Sequence, residues 1–195
     1  MVDASARPKF KRSHRLPMKK FAFLLAVLLA ACQSQPVQNL SAQNPPAVEA
    51  AFSPRGGSLA LILRTIGEAK NTIRVAAYTF TSQPVAEALL AAHKRGVDVR
   101  LVADAKGNQR YTAARFLANA GIPVRLNGRY PIHHNKFMVI DGKILETGSF
   151  NYSAQAANKN AENVLVLRNA PQIAAQYEKE WQRLWDEAQA LEAAY

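Results

Sequence analysis

A single cysteine, Cys32, in 195 residues excludes a disulfide scaffold and any zinc site built on cysteine. Acidic residues are scarce: 14 Asp and Glu stand against 25 Lys and Arg, a formal net charge of +11. The surplus is uneven. Residues 1–31 carry seven bases and one acid, Asp3, and the remainder from Cys32 carries a surplus of five. That remainder is moderately basic, which admits anionic partners such as nucleic acid or lipid headgroups and selects neither. Long apolar runs are missing too. Phe21–Ala31 holds 11 residues, short of the about 20 that cross a bilayer. There is no long internal repeat, and no evident cluster of carboxylates or Cys/His that would ligate a metal. What remains is 49% hydrophobic and 20% charged, the composition of one globular domain of ordinary size.

The front of the chain has the layout of a secretory signal: Lys19-Lys20, the apolar run, then small residues. Its end, Leu29-Ala30-Ala31-Cys32, resembles the bacterial lipobox, which implies cleavage before Cys32 and a diacylglycerol on its thiol. A plain signal peptide, or a buried helix with a stray thiol, are the alternatives. The only cysteine falling at the one expected position favours the lipoprotein. Gln33, where Asp would retain the protein at the inner membrane, implies a periplasmic protein anchored in the outer membrane. Without the lipid it would be periplasmic or secreted. Met18 begins a conventional signal, so residues 1–17 read as an upstream extension. Residues 32–51, rich in Gln, Asn, Pro and Ala without hydrophobic period, are expected to be a disordered tether to a domain over 52–195.

Within that domain, helices and strands alternate. Ser58 is expected to cap a helix to about Lys70, with Leu59, Ile62, Leu63 and Ile66 on one face. Thr72–Phe80 is β-rich; Ser82 and Pro84 open a helix through Arg95, closed by Gly96. Val97–Ala103 alternates as a strand, Arg110–Ala120 reads as a helix closed by Gly121, and Ile122–Leu126 as a short strand. Asp141-Gly142 joins Lys136–Ile140 and Lys143–Thr147 in a hairpin. Asn163–Leu167 is a further strand. Ile173, Tyr177, Trp181, Leu184, Ala188 and Leu191 follow Pro171 at helical spacing, as core residues. This order predicts an α/β layered sandwich, a mixed β-sheet flanked by helices.

Chemistry concentrates between Ile132 and Asn151, IHHNKFMVIDGKILETGSFN. A two-residue turn at Asp141-Gly142 would set His134 opposite Ser149 and Lys136 opposite Thr147, on one sheet face, with Asn151 two residues beyond. An imidazole, an ammonium and hydroxyl and amide donors together suit phosphodiester cleavage. The imidazole can attack phosphorus, and the donors can stabilise charge on the equatorial oxygens. Asp141 is accounted for by the turn. His133 points to the opposite face, and His93 lies on a helix without a lysine two residues on; neither is expected to be catalytic.

The spacing His134-x-Lys136, Asp141, Gly148-Ser149-x-Asn151 resembles the HKD motif of the phospholipase D superfamily. AYTFTS, KRGVDVRLVAD, NAGIPVR, ETGSFNYS and KNAENVLVL extend the resemblance to its single-motif bacterial endonucleases, the exported, EDTA-resistant Nuc type, from about Phe52 to the last helix. The resemblance implies a phospholipase D-like sandwich and a phosphodiester hydrolase needing no metal or other cofactor. It makes His134 the nucleophile or general acid, makes Lys136, Ser149 and Asn151 phosphate binders, and has Glu162 orient the histidine. One motif per chain supplies one suitable histidine, whereas in-line displacement needs a nucleophile and an acid, so a twofold homodimer is expected. Nucleic acid is the expected substrate, with Arg110, Arg115, Arg125 and Arg129 near the motif for backbone contacts. A phospholipid hydrolase at the membrane is the rival, and an inactive tethered nucleic-acid binder a third reading that the intact motif disfavours.

Overall fold

Two strands, β2 (Thr72–Ala77) and β3 (Asp98–Asp104), are covered on both faces, so apolar residues dominate their middle and last positions. Ile73, Val75 and Ala77 of β2, with Val99, Leu101 and Ala103 of β3, enter one core, while Ala76 and Val102 enter the other. The computed structural model describes residues 45–109 and 112–193. The signal segment, Cys32, the first part of the expected tether and Arg110 lie outside these residues. Among the described residues no helix is long and apolar enough to cross a membrane.

The remaining elements are β1 (Ala47–Ser53), α1 (Ser58–Gly67), α2 (Gln83–Lys94), α3 (Ala113–Asn119), β4 (Val124–Asn127), β5 (Phe137–Ile140) and β6 (Ile144–Gly148). After them come α4 (Ala154–Asn158), β7 (Glu162–Arg168), α5 (Pro171–Asp186) and β8 (Gln189–Ala190). The strands form one mixed sheet in the order β1-β7-β6-β5-β2-β3-β4-β8. β2, β3 and β4 are parallel, joined by helical crossovers, and every other neighbour is antiparallel. Leu61, Ile62 and Ile66 of α1, Val85 and Leu89 of α2, and Leu117 of α3 pack on one face. On the other lies α5, through Ala174, Trp181, Leu184 and Trp185. Its seat is fixed by polar contacts as well: Trp181 Nε1 donates to the Val75 carbonyl at 2.8 Å, and Asn127 Nδ2 to the Leu184 carbonyl at 3.0 Å. The α/β layered sandwich expected from the alternation is the one observed.

Four expectations are corrected. Residues 47–51 are not tether but the first part of β1, paired with β7 from Ala47↔Arg168 to Ser53↔Glu162. Four of those five residues are exposed, so an edge strand carries little hydrophobic pattern. Helix α1 begins after Gly57, which adopts φ 87°, with Ser58 inside the helix. It ends before Lys70 because the Lys70, Asn71 and Thr72 amides donate to the Asp141 carboxylate at 2.9, 2.7 and 2.9 Å. The last helix stops at Asp186, and the chain beyond pairs with β4 as β8. The hairpin register slips by one: Ile140 pairs with Ile144 and Phe137 with Thr147. Asp141 and Gly142 take φ 52° and 62°, and Lys143 is an extra turn residue whose carbonyl accepts from the Ala170 amide at 2.9 Å.

Candidate active site

The sheet register gathers the motif at one end of the strands. β2 and β3 end there with Ala77 and Asp104; β5 begins there, Phe137 facing Ala76 and Thr147. β6 ends there and β7 begins, with Gly148 opposite Val164. Gly148 is needed for that approach, since a Cβ on it would lie 2.2 Å from the Asn163 carbonyl oxygen.

His134 lies in the irregular segment before β5, not on the strand, and its side chain is open to solvent. Lys136 is buried, 7% exposed, and its Nζ donates to the His134 carbonyl at 2.8 Å. Burial pulls the Lys136 ammonium below the usual lysine range, opposed by the Glu162 carboxylate. Ser149 Oγ donates to Glu162 Oε2 at 2.6 Å and accepts from the Asn163 amide at 3.1 Å. Asn160 Nδ2 holds the other Glu162 oxygen at 2.9 Å. Lys136, Ser149 and Glu162 thus share one charge cluster.

Within one chain the Glu162 carboxylate accepts from Ser149 and Asn160, not from the His134 imidazole as the resemblance implies. Glu162 opens β7 beside Gly148 and Ser149, so its carboxylate meets the serine first. Asn151 follows two residues on, with its Oδ1 buried and unpartnered. Asp141 is not part of the cluster. It sits at the far end of the hairpin, where three backbone amides hold its carboxyl below the ordinary range against the opposing effect of burial.

Two recesses flank the motif. One, about 410 Å³, is bounded by His134, Lys136 and Thr147 together with Gln176, Tyr177 and Glu180 of α5. The other, about 340 Å³, is walled by Thr79, Thr81, Asn151, Ser153, Gln155 and Asn160. His133, by contrast, is 2% exposed and turned inward; its amide donates to Asp104 Oδ2 at 2.8 Å, and burial lowers its imidazole's proton affinity. His93 lies half-buried on α2. Of the arginines, Arg125 packs 4.6 Å over the Trp185 ring and donates to the Trp185 carbonyl, so it is structural. Arg115 donates to the Glu192 carbonyl, and Arg129 lies 3.8 Å from Glu187. Among the described residues no group of three or more His, Cys, Asp or Glu could hold a metal ion.

Residues 62–185 match the family described as "Cardiolipin synthase, PLD-like domain". The chain belongs to the phospholipase D superfamily. It is 35% identical over 132 residues to a mitochondrial cardiolipin hydrolase of Chlamydomonas reinhardtii, covering 66% of this chain and 58% of that protein. To a phospholipase D of Rickettsia conorii it is 33% identical over 144 residues, 73% of this chain and 72% of that one. The crystal structure of Nuc from Salmonella typhimurium, a phospholipase D family member, superposes with a TM-score of 0.74 at 40% identity. That match covers 76% of this chain and 99% of the other. The chain thus spans somewhat less than two thirds of the length of the curated cardiolipin hydrolases it matches first.

Sequence reasoning missed several groups around this phospholipase D-like site: Tyr78, Asp104 and Asn108, and the α5 side chains Gln176 and Glu180. Tyr78 and Asp104 follow or end the parallel strands, where open α/β sheets collect their functional groups, and that position was the available signal. Nothing in the sequence marks the α5 residues, whose role depends on how the helix docks.

Proposed function

We propose that the protein is a metal-independent, nonspecific endonuclease working as a homodimer through a phosphohistidine intermediate. One observation carries this reading: His134 is open to solvent, its carbonyl accepts from the buried Lys136 ammonium, and no second histidine of the described chain is placed to assist it. His134 of one copy attacks phosphorus, forming an N–P bond as the P–O bond to the leaving group breaks. His134 of the second copy gives that oxygen its proton. Water then attacks the phosphohistidine, losing a proton to the second imidazole, and the N–P bond breaks. Lys136, Ser149 and Asn151 stabilise charge on the non-bridging oxygens throughout.

One recess beside the motif supports a nucleic-acid substrate. This one, at Asn151, is walled almost entirely by hydroxyl and amide side chains. Such walls can hydrogen-bond a sugar–phosphate chain and leave an acyl chain's apolar surface uncompensated. The second reading, a phospholipid hydrolase, is favoured by the cardiolipin and phospholipase D names of the curated relatives and by Ile132, 52% exposed two residues before His134. The purified soluble core, assayed in parallel on plasmid DNA, RNA and phosphatidylcholine vesicles, separates them. Cleavage of nucleic acid should fall as salt rises and show little sequence preference. Cleavage of phospholipid alone, at every salt concentration, would give the second reading the case.

The charge-stabilising groups are an ammonium, a hydroxyl and an amide, so turnover should survive excess EDTA. Loss on chelation and recovery with Mg²⁺ or Zn²⁺ would remove the metal-independent mechanism. We further propose that the enzyme is exported and held at the periplasmic face of the outer membrane through acylated Cys32. In a Gram-negative host the wild type should label with palmitate and sediment with membranes, and Cys32→Ser should do neither. A mature chain starting elsewhere without lipid would refute the anchor.

A further inference from the structure

We propose that Tyr78 is a positioning residue of this site, its ring the seat against which the His134 imidazole is held for attack on phosphorus. This rests on His134 being the attacking group. The two ring centroids are 4.9 Å apart at an interplanar angle of 55°. Within the chain, this ring contact orients the imidazole. The Lys136 ammonium lies 5.5 Å from the centroid of the same tyrosine ring while donating to the His134 carbonyl at 2.8 Å. One ring therefore touches both chemically active side chains.

The seat is itself fixed. The Tyr78 carbonyl accepts from Asn108 Nδ2 at 2.6 Å, and the Phe80 amide donates to Asn108 Oδ1 at 2.9 Å. Asn108 Nδ2 also reaches the Asp104 carbonyl at 2.9 Å. The Asp104 carboxylate in turn accepts from the Gly107 amide at 2.7 Å and from the His133 amide at 2.8 Å. Asp104 and Asn108 are both 1% exposed. The end of β3 thus ties down the backbone carrying the tyrosine and the backbone carrying the histidine, which fixes the distance between their rings. Tyr78 belongs to neither hydrophobic core and is only half-buried, so packing does not account for its placement. An attacking atom held in line gains rate through orientation, and displacements of about 1 Å cost on the order of 10²-fold.

The test uses bis(p-nitrophenyl) phosphate, a phosphodiester with neither a nucleoside nor an acyl chain. Tyr78→Leu should lower kcat by about 10- to 100-fold, with KM changing less than about threefold. Tyr78→Phe, which keeps the ring, should recover most of the lost kcat. In NMR spectra the ring-current displacement of the His134 imidazole protons should persist in Tyr78→Phe and vanish in Tyr78→Leu. Tyr78→Met makes the same comparison if the leucine variant fails to fold. Full kcat in Tyr78→Leu, or a phenylalanine variant as slow as the leucine one, would overturn the seat. His134→Ala is the companion control: if it still turns over, the phosphohistidine reading falls and this one with it. If His134→Ala is dead while Tyr78→Leu is unimpaired, only the seat is lost.

Discussion

Under the proposed mechanism, replacing His134 by alanine is expected to lower turnover by at least about 10⁴-fold, since nucleophile and proton donor would disappear together from a dimer of variant chains. The larger lesson comes from mixing. Equal amounts of wild-type and His134→Ala chains are unfolded together and refolded, so that pairing is random. If one centre needs two His134 side chains, only wild-type pairs work, and activity should be ~one quarter of that from the same total of wild type. Independent sites would give ~one half by the same counting. The variant must first be shown to dimerise normally, because failure to pair would also leave about half. With that control in hand, activity linear in the wild-type fraction would reject the composite site, and the acid would have to come from the same chain. His133 could not supply it without leaving the interior, where it is 2% exposed. Glu162, already engaged by Ser149 and Asn160, would be the group to examine.

The parts of the fold that sequence made legible are those set by local pattern. Runs such as Thr72–Ala77 and Asp98–Asp104 sit between amphipathic helices, and that alternation leaves little choice but parallel strands with crossovers. What was illegible is fixed by distant partners. β1 exists because β7 offers it an edge, not because Ala47–Ala51 has a strand's hydrophobic rhythm. The hairpin turn takes a third residue because the Lys143 carbonyl is held by Ala170, 27 positions along the chain. The motif residues were readable as a set because each lies in or next to two neighbouring strands. Their detailed contacts were not. Glu162 faces Ser149 and not His134, and Tyr78 meets His134 across a separation of 56 residues that no spacing rule bridges.

Glu146 should make stability fall as pH rises from about 5 to 8, against an opposite effect from the buried His133 imidazole. Glu146 is on β6, between Met138 of β5 and Val166 of β7, on the face that enters the larger core. It is 2% exposed, and burial pushes its carboxyl up to about 7 from an ordinary 4.5, partly offset by the Tyr152 hydroxyl donating to Oε2 at 2.7 Å. The folded value lies above the unfolded one. Between them the folded state keeps a proton that the unfolded state has released, so unfolding becomes easier as pH rises. Below about 4.5 both states are protonated and the difference vanishes; above about 7 both are ionised and the loss is complete. At 1.36 kcal/mol per pH unit, the loss is roughly 3 kcal/mol. Glu146→Gln keeps the shape and an acceptor for Tyr152 without the charge. Its unfolding free energy, from urea titrations at pH 5, 6, 7 and 8, should gain on wild type by up to about 3 kcal/mol across the range. Parallel curves for the two proteins would show that Glu146 does not titrate between the folded and unfolded states. Tyr152→Phe removes the one donor to the carboxylate among the described residues and should steepen the fall. The effect also bears on catalysis. The Tyr152 carbonyl accepts from the Thr81 and Ser82 amides, both at 2.8 Å, and Asn151 precedes it directly. The Tyr152 hydroxyl's bond to Glu146 thus helps anchor the turn that carries Ser149 and Asn151.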